Sequence, residues 1–430
     1  MAQKERDVVL FINAVRGATF KALEDHEKRT GKKLTPVVLV DKKIQKSITE
    51  RNGQMNHLDK VTYVAADFDS PTSLREALRA YEDRIYAVTS QYENSIHELR
   101  KLVPYLPYMP LPTQSSLEWA SEKKHMRDMM HSYDKSLVPG YLLAEDASDA
   151  TIKKIEDELE YPVVVKPSGL EGSLLVSMVY NRVQLKETLK HTYEEIKKGY
   201  DTWIKRNKPA VLVEEFMEGN MFSIDTHVSK DGKCYHAPIV YVATGRSVGF
   251  DDFFGYMRLT PTSLSDEEVA AAQKASEKAC RALKLRAITV HVELMQTPRG
   301  WKIIEVGPRI GGYRHDIYKL GYGINHIAND ILIRADEEPH LPQTPKGSAA
   351  IFYIYVKQEG ILESTSGEDK VEKLASFVSI NKIPKDGDEL KFAKNNGDIV
   401  FAVTLFNEDR AQLEKDIQTM EDVLKINVKQ

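Results

Sequence analysis

The sequence predicts a multidomain protein joining an α/β domain to α+β domains, on three observations. Short β-branched runs alternate with helix-compatible segments near the start of the chain, the pattern of βαβ units and a parallel sheet. Two proline-dense joints then interrupt the chain. After the first joint, strand pairs linked by short turns replace the strict alternation.

The alternation is carried by VVLFINA, TPVVLVD, VTYVAAD and RIYAVTS, with KALEDHEKR and PTSLREALRAYE between them. In the second helix Ser70 is the N-cap and Pro71 takes the first helical position, where its missing N–H costs nothing. The connector VPYLPYMPLPTQSS holds Pro104, Pro107, Pro110 and Pro112. Neither a helix nor a central strand survives that density, so a boundary falls there. Residues 115–160 read as helices. YPVVVKP and AVLVEEF follow as strands, separated by the charged helix LKETLKHTYEEIKKGYDTWIKRN. MFSIDTHV and CYHAPIVYVAT form a strand pair across the turn SKDGK. Ser265 and Glu268 have capping-box spacing and open a helix over 265–283. DEEPHLPQTPKG is the second joint, and the tail from Ser348 mixes short strands with a last helix. The expected units are 1–112, 113–218, 219–345 and 346–430.

The net charge of −4 argues against a generic nucleic-acid or anionic-membrane binder. Cys234 and Cys280 stand at no metal-ligand spacing, which fits a reduced, cytoplasmic setting. The apolar run near the N-terminus ends at Arg16 without a cleavage site and reads as a strand. No stretch reaches the roughly 18 apolar residues of a membrane span.

The most informative segment is ITVHVELMQTPRGWKIIEVGPRIGG. TPRG suits a type I turn followed by a left-handed residue, a three-residue hairpin loop. That loop sets Thr297 opposite Trp301 and Glu293 opposite Glu305. Ile288, Val290, Val292, Leu294, Ile304 and Val306 then share one face, with His291, Glu293 and Glu305 on the other. Opposed carboxylates lie about 5 Å apart. Their repulsion is roughly 3 kcal/mol at an effective dielectric near 20. A shared proton, an intervening lysine or a bridging divalent cation offsets it, and magnesium suits such a pair. Two solvated glutamates on an exposed face are the plain alternative. Arg309 and Gly311–Gly312, just past the strand, shift the balance toward a phosphoryl or acyl-phosphate site. Arginine grips such anions in bidentate fashion, and glycines let backbone N–H groups approach them.

HVELM…WKIIEVGPRIGG resembles the metal and substrate motif of ATP-grasp carboxylate–amine ligases. Three upstream segments extend the resemblance in the same order. SEKKHMR resembles the segment with the first nucleotide lysine, which Lys123 matches by its spacing to Met126 and Arg127. YPVVVKPSGLEGS resembles the strand and glycine-rich loop over the phosphates, with Lys166 on the α/β-phosphates and Ser173 in the loop. VLVEEFMEG resembles the hinge whose backbone holds adenine, at Glu214, Glu215, Phe216 and Met217. Taken singly each has an ordinary explanation: a snorkelling lysine, a turn, a solvated helix face, a strand running out to water. Together they span residues 115–330.

The resemblance implies an ATP-grasp fold. Residues 1–112 would be a Rossmann-like pre-grasp domain and 113–218 the lid with the phosphate loop. Residues 219–345 would be the catalytic core with the metal site, and 346–430 an α+β domain like that of biotin-carboxylase-like members and L-amino acid ligases. It implies ATP with Mg²⁺, or Mn²⁺ in its place, held by Glu293 and Glu305. A carboxylate would attack the γ-phosphate, and the acyl phosphate would pass to an amine, the substrates being amino acids. Arg309 and the N–H groups around Gly311 and Gly312 would hold the oxyanion. His291 is either a proton acceptor or a satisfied structural histidine. TGRSVGFDDFFGYMRLTPT reads as a loop bordering the substrate pocket, with Arg246 and Arg258 as carboxylate anchors, or as a surface loop with an aromatic plug. A homodimer is expected from the resemblance alone. Three positions depart from the pattern: Gly307 stands where an asparagine is usual, Met221 where an acidic ribose ligand is usual, and SLL stiffens the phosphate loop. Glu218 or Asp225 is left to meet the ribose. Another reaction of the superfamily and a non-catalytic nucleotide-binding role remain alternatives.

Overall fold

The computed structural model describes residues 6–44, 60–168, 174–203, 210–250, 252–393 and 397–429. Strands β1 (Val8–Ile12), β2 (Thr35–Asp41), β3 (Thr62–Ala66) and β4 (Ile85–Thr89) form a parallel sheet in the order β3-β2-β1-β4. Every residue of β1 and β4 is buried, as expected of a sheet covered on both faces. The helix Pro71–Arg79 returns one crossover, and Ser70 caps it by accepting from the Ser73 N–H.

A second sheet holds β5 (Tyr141–Ala144), β6 (Val163–Pro167), β7 (Ser177–Val179) and β8 (Val211–Glu215), in the order β5-β8-β6-β7. Its pairings are antiparallel. The helices Asp149–Glu158 and Arg182–Trp203 accompany it. Strand β5 corrects the all-helical expectation for 115–160. YLLA is a short apolar run, and without a partner such a run carries no period that separates strand from helix. Pairing with β8 makes it a strand.

The largest sheet contains β9 (Asn220–Val228), β10 (Cys234–His236), β11 (Val240–Thr244), β12 (Gly255–Thr260), β13 (Ile288–Thr297) and β14 (Gly300–Gly307). It continues through β15 (Ser348–Ile354), β17 (Phe377–Lys382) and β19 (Phe401–Asn407). Its order is β14-β13-β9-β11-β12-β15-β19-β17, with β10 paired to β9, so strands from both sides of residue 345 share one sheet. A three-stranded sheet of β16 (Gly360–Ser366), β18 (Glu389–Leu390) and β20 (Lys425–Lys429) completes the tail. The helix Asp266–Ala282 opens with the anticipated reciprocal bonds between Ser265 and Glu268. Among the described residues no helix is long and apolar enough to cross a membrane.

The β13–β14 hairpin reaches the expected register by a different route. Thr297 pairs with Gly300 and Gln296 with Trp301, so the loop is the two residues Pro298 and Arg299. A bulge between Glu293 and Leu294 then leaves Ile304 outside the pairing and restores Glu293 opposite Glu305. One residue lost from the loop is returned by the bulge. Ile303 therefore joins Ile288, Val290, Val292, Leu294 and Val306 in the core, while Ile304 turns to the other side.

Candidate active site

A cavity of about 820 Å³ opens between the second sheet and the largest one. Its wall includes Lys123, Lys166, Glu214, Glu215, Phe216, Met217, Arg246, Arg258, His291, Glu293, Glu305 and Arg309. Positions nearly two hundred residues apart in the chain thus meet at one surface. Ser173 lies outside the described residues. Gly311 and Gly312 are not among the lining residues.

Glu293 and Glu305 face each other across the hairpin, and each has a basic side chain beside it. Lys123 Nζ is 3.0 Å from Glu305 Oε1, and His291 Nε2 is 3.5 Å from Glu293 Oε1. Burial works against the charge on Lys123, but Glu305, Glu93 and Glu293 outweigh it and hold the lysine above its ordinary range. Burial likewise opposes ionisation of Glu293, and His291, Arg314 and Arg309 outweigh it. Among the described residues no three His, Cys, Asp or Glu side chains cluster as a metal cage. Two carboxylates on one cavity wall suit an ion that takes its remaining oxygens from phosphate and water, as Mg²⁺ does.

Lys166, at the end of β6, points at Glu214, with Nζ 2.5 Å from Oε2. Arg127, from the helix Lys123–Tyr133, grips the same carboxylate at 2.7 and 3.2 Å and donates to the Ile304 carbonyl at 2.7 Å. All three side chains are buried. Burial resists the Glu214 charge, yet Arg127 and Lys166 carry its pKa down to about 2. For Lys166, burial lowers the pKa to about 8, because Glu214 is already shared with Arg127. Glu214 has two cations, so Lys166 can turn to an anion without leaving a bare carboxylate behind. The sequence suggested only a backbone hinge at this position, and the structure adds an ion-paired side chain.

Behind the carboxylate pair, Asp225 is fully buried. Its Oδ1 lies 2.6 Å from His291 Nδ1, and its Oδ2 lies 2.6 Å from His326 Nε2 and accepts the Gly311 N–H at 2.7 Å. Asp225 is thereby committed and does not line the cavity, so of the two ribose candidates Glu218 alone is available. Burial opposes protonation of His291, but Asp225 outweighs it and raises the pKa. The ring is oriented by Asp225 through one nitrogen and faces Glu293 with the other. The Gly311 N–H is used inside the protein, which corrects its expected oxyanion role. A Cβ there would lie 2.5 Å from Arg314 Cγ and 2.6 Å from His291 Nδ1, so the glycine serves close packing.

Arg309 Nε lies 2.8 Å from Glu93 Oε2, a residue following β4 that also lines the cavity. A Cβ on Gly307 would come within 3.1 Å of that same Glu93 oxygen. The missing asparagine side chain makes room for the Glu93–Arg309 pair. Glu93, Arg127 and Arg314 escaped the sequence reading. Glu93 sits after a strand with no motif around it, and a buried arginine on a helix leaves no periodic trace. Met221 pairs with Met295 across β9 and β13, and both line the cavity.

The far wall is aromatic. Arg258 lies on β12, a strand paired with β11 and β15 where a loop was expected. These partners, one of them almost a hundred residues later, supply the pairing that a glycine- and aromatic-rich string does not advertise. The Tyr313 and Tyr353 rings lie against it, and Phe253, Phe254 and Tyr355 line the same cavity. Arg246 donates to Tyr180 Oη at 3.2 Å and lies over the Phe253 ring.

The second sheet and the carboxylate-bearing hairpin of the largest sheet meet at one cavity. Residues 159–316 match the ATP-grasp domain model. The chain is 24% identical over 238 residues to carnosine synthase 1 of Mus musculus, covering 53% of this chain and 28% of that protein. The L-amino acid ligase from Bacillus licheniformis superposes with a TM-score of 0.77 at 19% identity, over 99% of this chain and 100% of that one. The phosphoribosylglycinamide synthetase from Anaerococcus prevotii has a TM-score of 0.65 at 16% identity, over 99% and 100%. The chain spans about half or less of the length of the curated relatives it matches first.

Proposed function

We propose that this chain is an ATP-dependent carboxylate–amine ligase that joins amino acids through an acyl phosphate, releasing ADP and phosphate. The observation that carries this reading is the directly opposed Glu293–Glu305 pair on a cavity wall that also bears Lys123, Lys166 and Arg309. The fold shared with an L-amino acid ligase and the likeness to a carnosine synthase support amino acids as substrates.

Lys166 and Lys123 would bind the phosphates, each leaving a carboxylate that retains another partner or meets the metal. Glu293 and Glu305 would hold Mg²⁺, which when bound neutralises charge on the transferring phosphoryl group. A substrate carboxylate oxygen attacks the γ-phosphorus and ADP leaves. The amine then attacks the acyl carbon, and phosphate departs with the bridging oxygen. Arg309 would stabilise the oxyanion formed between those steps. His291, oriented by Asp225, stands at the metal face to take the proton of the amine. A purine-precursor or carboxylating reaction would use the same nucleotide end and differ in the acceptor.

The test is ADP and phosphate release with ATP and Mg²⁺ over single and paired L-amino acids, with products weighed by mass spectrometry. Release requiring one pair, with a product mass equal to their sum less water, supports the reading. ATP binding without release on any acid or amine would remove it.

A further inference from the structure

Two cations of the cavity wall contact no reacting group in the scheme above, Arg258 among aromatic rings and Arg314 beside the Glu293 strand. Arg314 is buried; its Nη2 donates to Ser223 Oγ at 2.5 Å, and its Nε has no hydrogen-bond partner. Arg258 is partly buried; one nitrogen donates to the Gly255 carbonyl at 2.7 Å. Its guanidinium lies 4.9 Å from the Tyr353 ring centroid and 5.2 Å from that of Tyr313. Rings on these sides leave the N–H edges of the fork as its remaining polar surface. Among the described residues, neither guanidinium has a carboxylate within 4 Å. Burial, and next the charge of Arg314, press on Arg258. Two like charges in a half-buried wall repel; Glu293, opposite Ser223 on the neighbouring strand, offsets part of the Arg314 charge from beyond 4 Å, and the Arg258 charge is left among rings.

We propose that Arg258 and Arg314 together receive a substrate carboxylate that the reaction does not consume. Resting on the ligase reading, this makes at least one substrate an acid with an anionic group besides the activated one. The carboxylate belongs either to the side chain of the acid substrate or to the α-carbon of the amine substrate. Both sources share the same chemistry, a planar anion matched by guanidinium forks.

The experiment compares charged and neutral substrates in the wild-type enzyme and in Arg258→Gln. In one arm, L-glutamate is replaced by L-glutamine as the acid. In the other, the amine substrate is replaced by its α-amide. Neutralising the carboxylate that is held raises KM roughly 10- to 100-fold, the range expected for losing a charge-assisted contact. Arg258→Gln raises KM for the charged substrate comparably and leaves the neutral analogue unchanged, and Arg258→Lys recovers part of the loss. KM for ATP stays constant throughout. The substrate comparison stands even if Arg258→Gln folds poorly. Neutral analogues that serve as well as charged ones in both arms overturn the inference, as does a variant whose defect lies in KM for ATP. If no pair releases ADP, the ligase reading fails separately. The anion site is then read by thermal shift with L-glutamate and L-alanine in the presence of ADP and Mg²⁺. Stabilisation lost in Arg258→Gln upholds it; equal stabilisation, or none in the wild type, overturns it.

Discussion

The two ends of the cavity handle positive charge in opposite ways. At the end with the hairpin carboxylates Lys166, Lys123, Arg127 and Arg309 each have a carboxylate within 4 Å. At the aromatic end Arg258 sits against two tyrosine rings, and Arg314 bonds Ser223 between that wall and the Glu293 strand; neither has such a carboxylate among the described residues. Paired charges hold a buried site together before a ligand arrives and can be exchanged when one does. Unpaired ones gain their full stabilisation only from the ligand. On the proposed reading, the difference would separate a preorganised nucleotide seat from a substrate seat that the substrate completes.

The sharpest way to break the comparison is at the metal hairpin. Glu293→Gln should reduce kcat on the order of a hundredfold or more, because a carboxylate proposed to hold the metal is lost. ATP binding and melting temperature should change far less, and a melting temperature that collapses instead would make Glu293 structural.

Glu214→Gln comes next and should act mainly on stability. It leaves Arg127 and Lys166 buried without their counter-ion, a loss of about 3–5 kcal/mol. The folded pKa of Glu214 is about 2, below its ordinary value, so its stabilisation is present above the unfolded pKa and lost as pH falls through about 2. Denaturant melts should therefore show a wide gap between wild type and variant at neutral pH that narrows in acid. A gap independent of pH would refute the ion-pair account.

A smaller effect is expected from pH alone. Lys166 has its pKa lowered to about 8, so it is charged below that value and loses its proton as pH rises through it. ATP affinity, followed by calorimetric titration, should fall across that window, and Lys166→Arg should flatten the profile. The mildest change is Gly307→Asn, which crowds the Glu93–Arg309 pair and should cost about 1–3 kcal/mol of stability. Equal or better activity in that variant would show that Glu93 is not needed where it sits.

Legibility in the sequence follows the same division. The parallel sheet, the helix caps and the Glu293–Glu305 pairing were readable because each rests on local chemistry: β-branched runs, N-cap residues and alternation along one hairpin. The hairpin loop was misjudged by one residue, because the bulge that compensates for it has no signature of its own. Lys123, Lys166 and Arg309 were found as parts of a motif series, whereas their partners Glu214, Glu305 and Glu93 are contacts between distant segments. Only Glu305 and Glu214 had been singled out, and Glu214 for a different reason. Arg314 was overlooked although it is two residues past Gly312, since nothing in its neighbours says that its side chain turns toward Ser223. The Asp225–His291–His326 network was equally hidden, being assembled from three elements far apart in the chain.

The central claim is that a substrate carboxylate is activated by the γ-phosphate of ATP. It is tested most directly with an acid labelled with ¹⁸O in both carboxylate oxygens, followed by mass analysis of the phosphate released during amide formation. The account predicts one labelled oxygen in each phosphate and the other retained in the amide. Unlabelled phosphate accompanying labelled amide would contradict it.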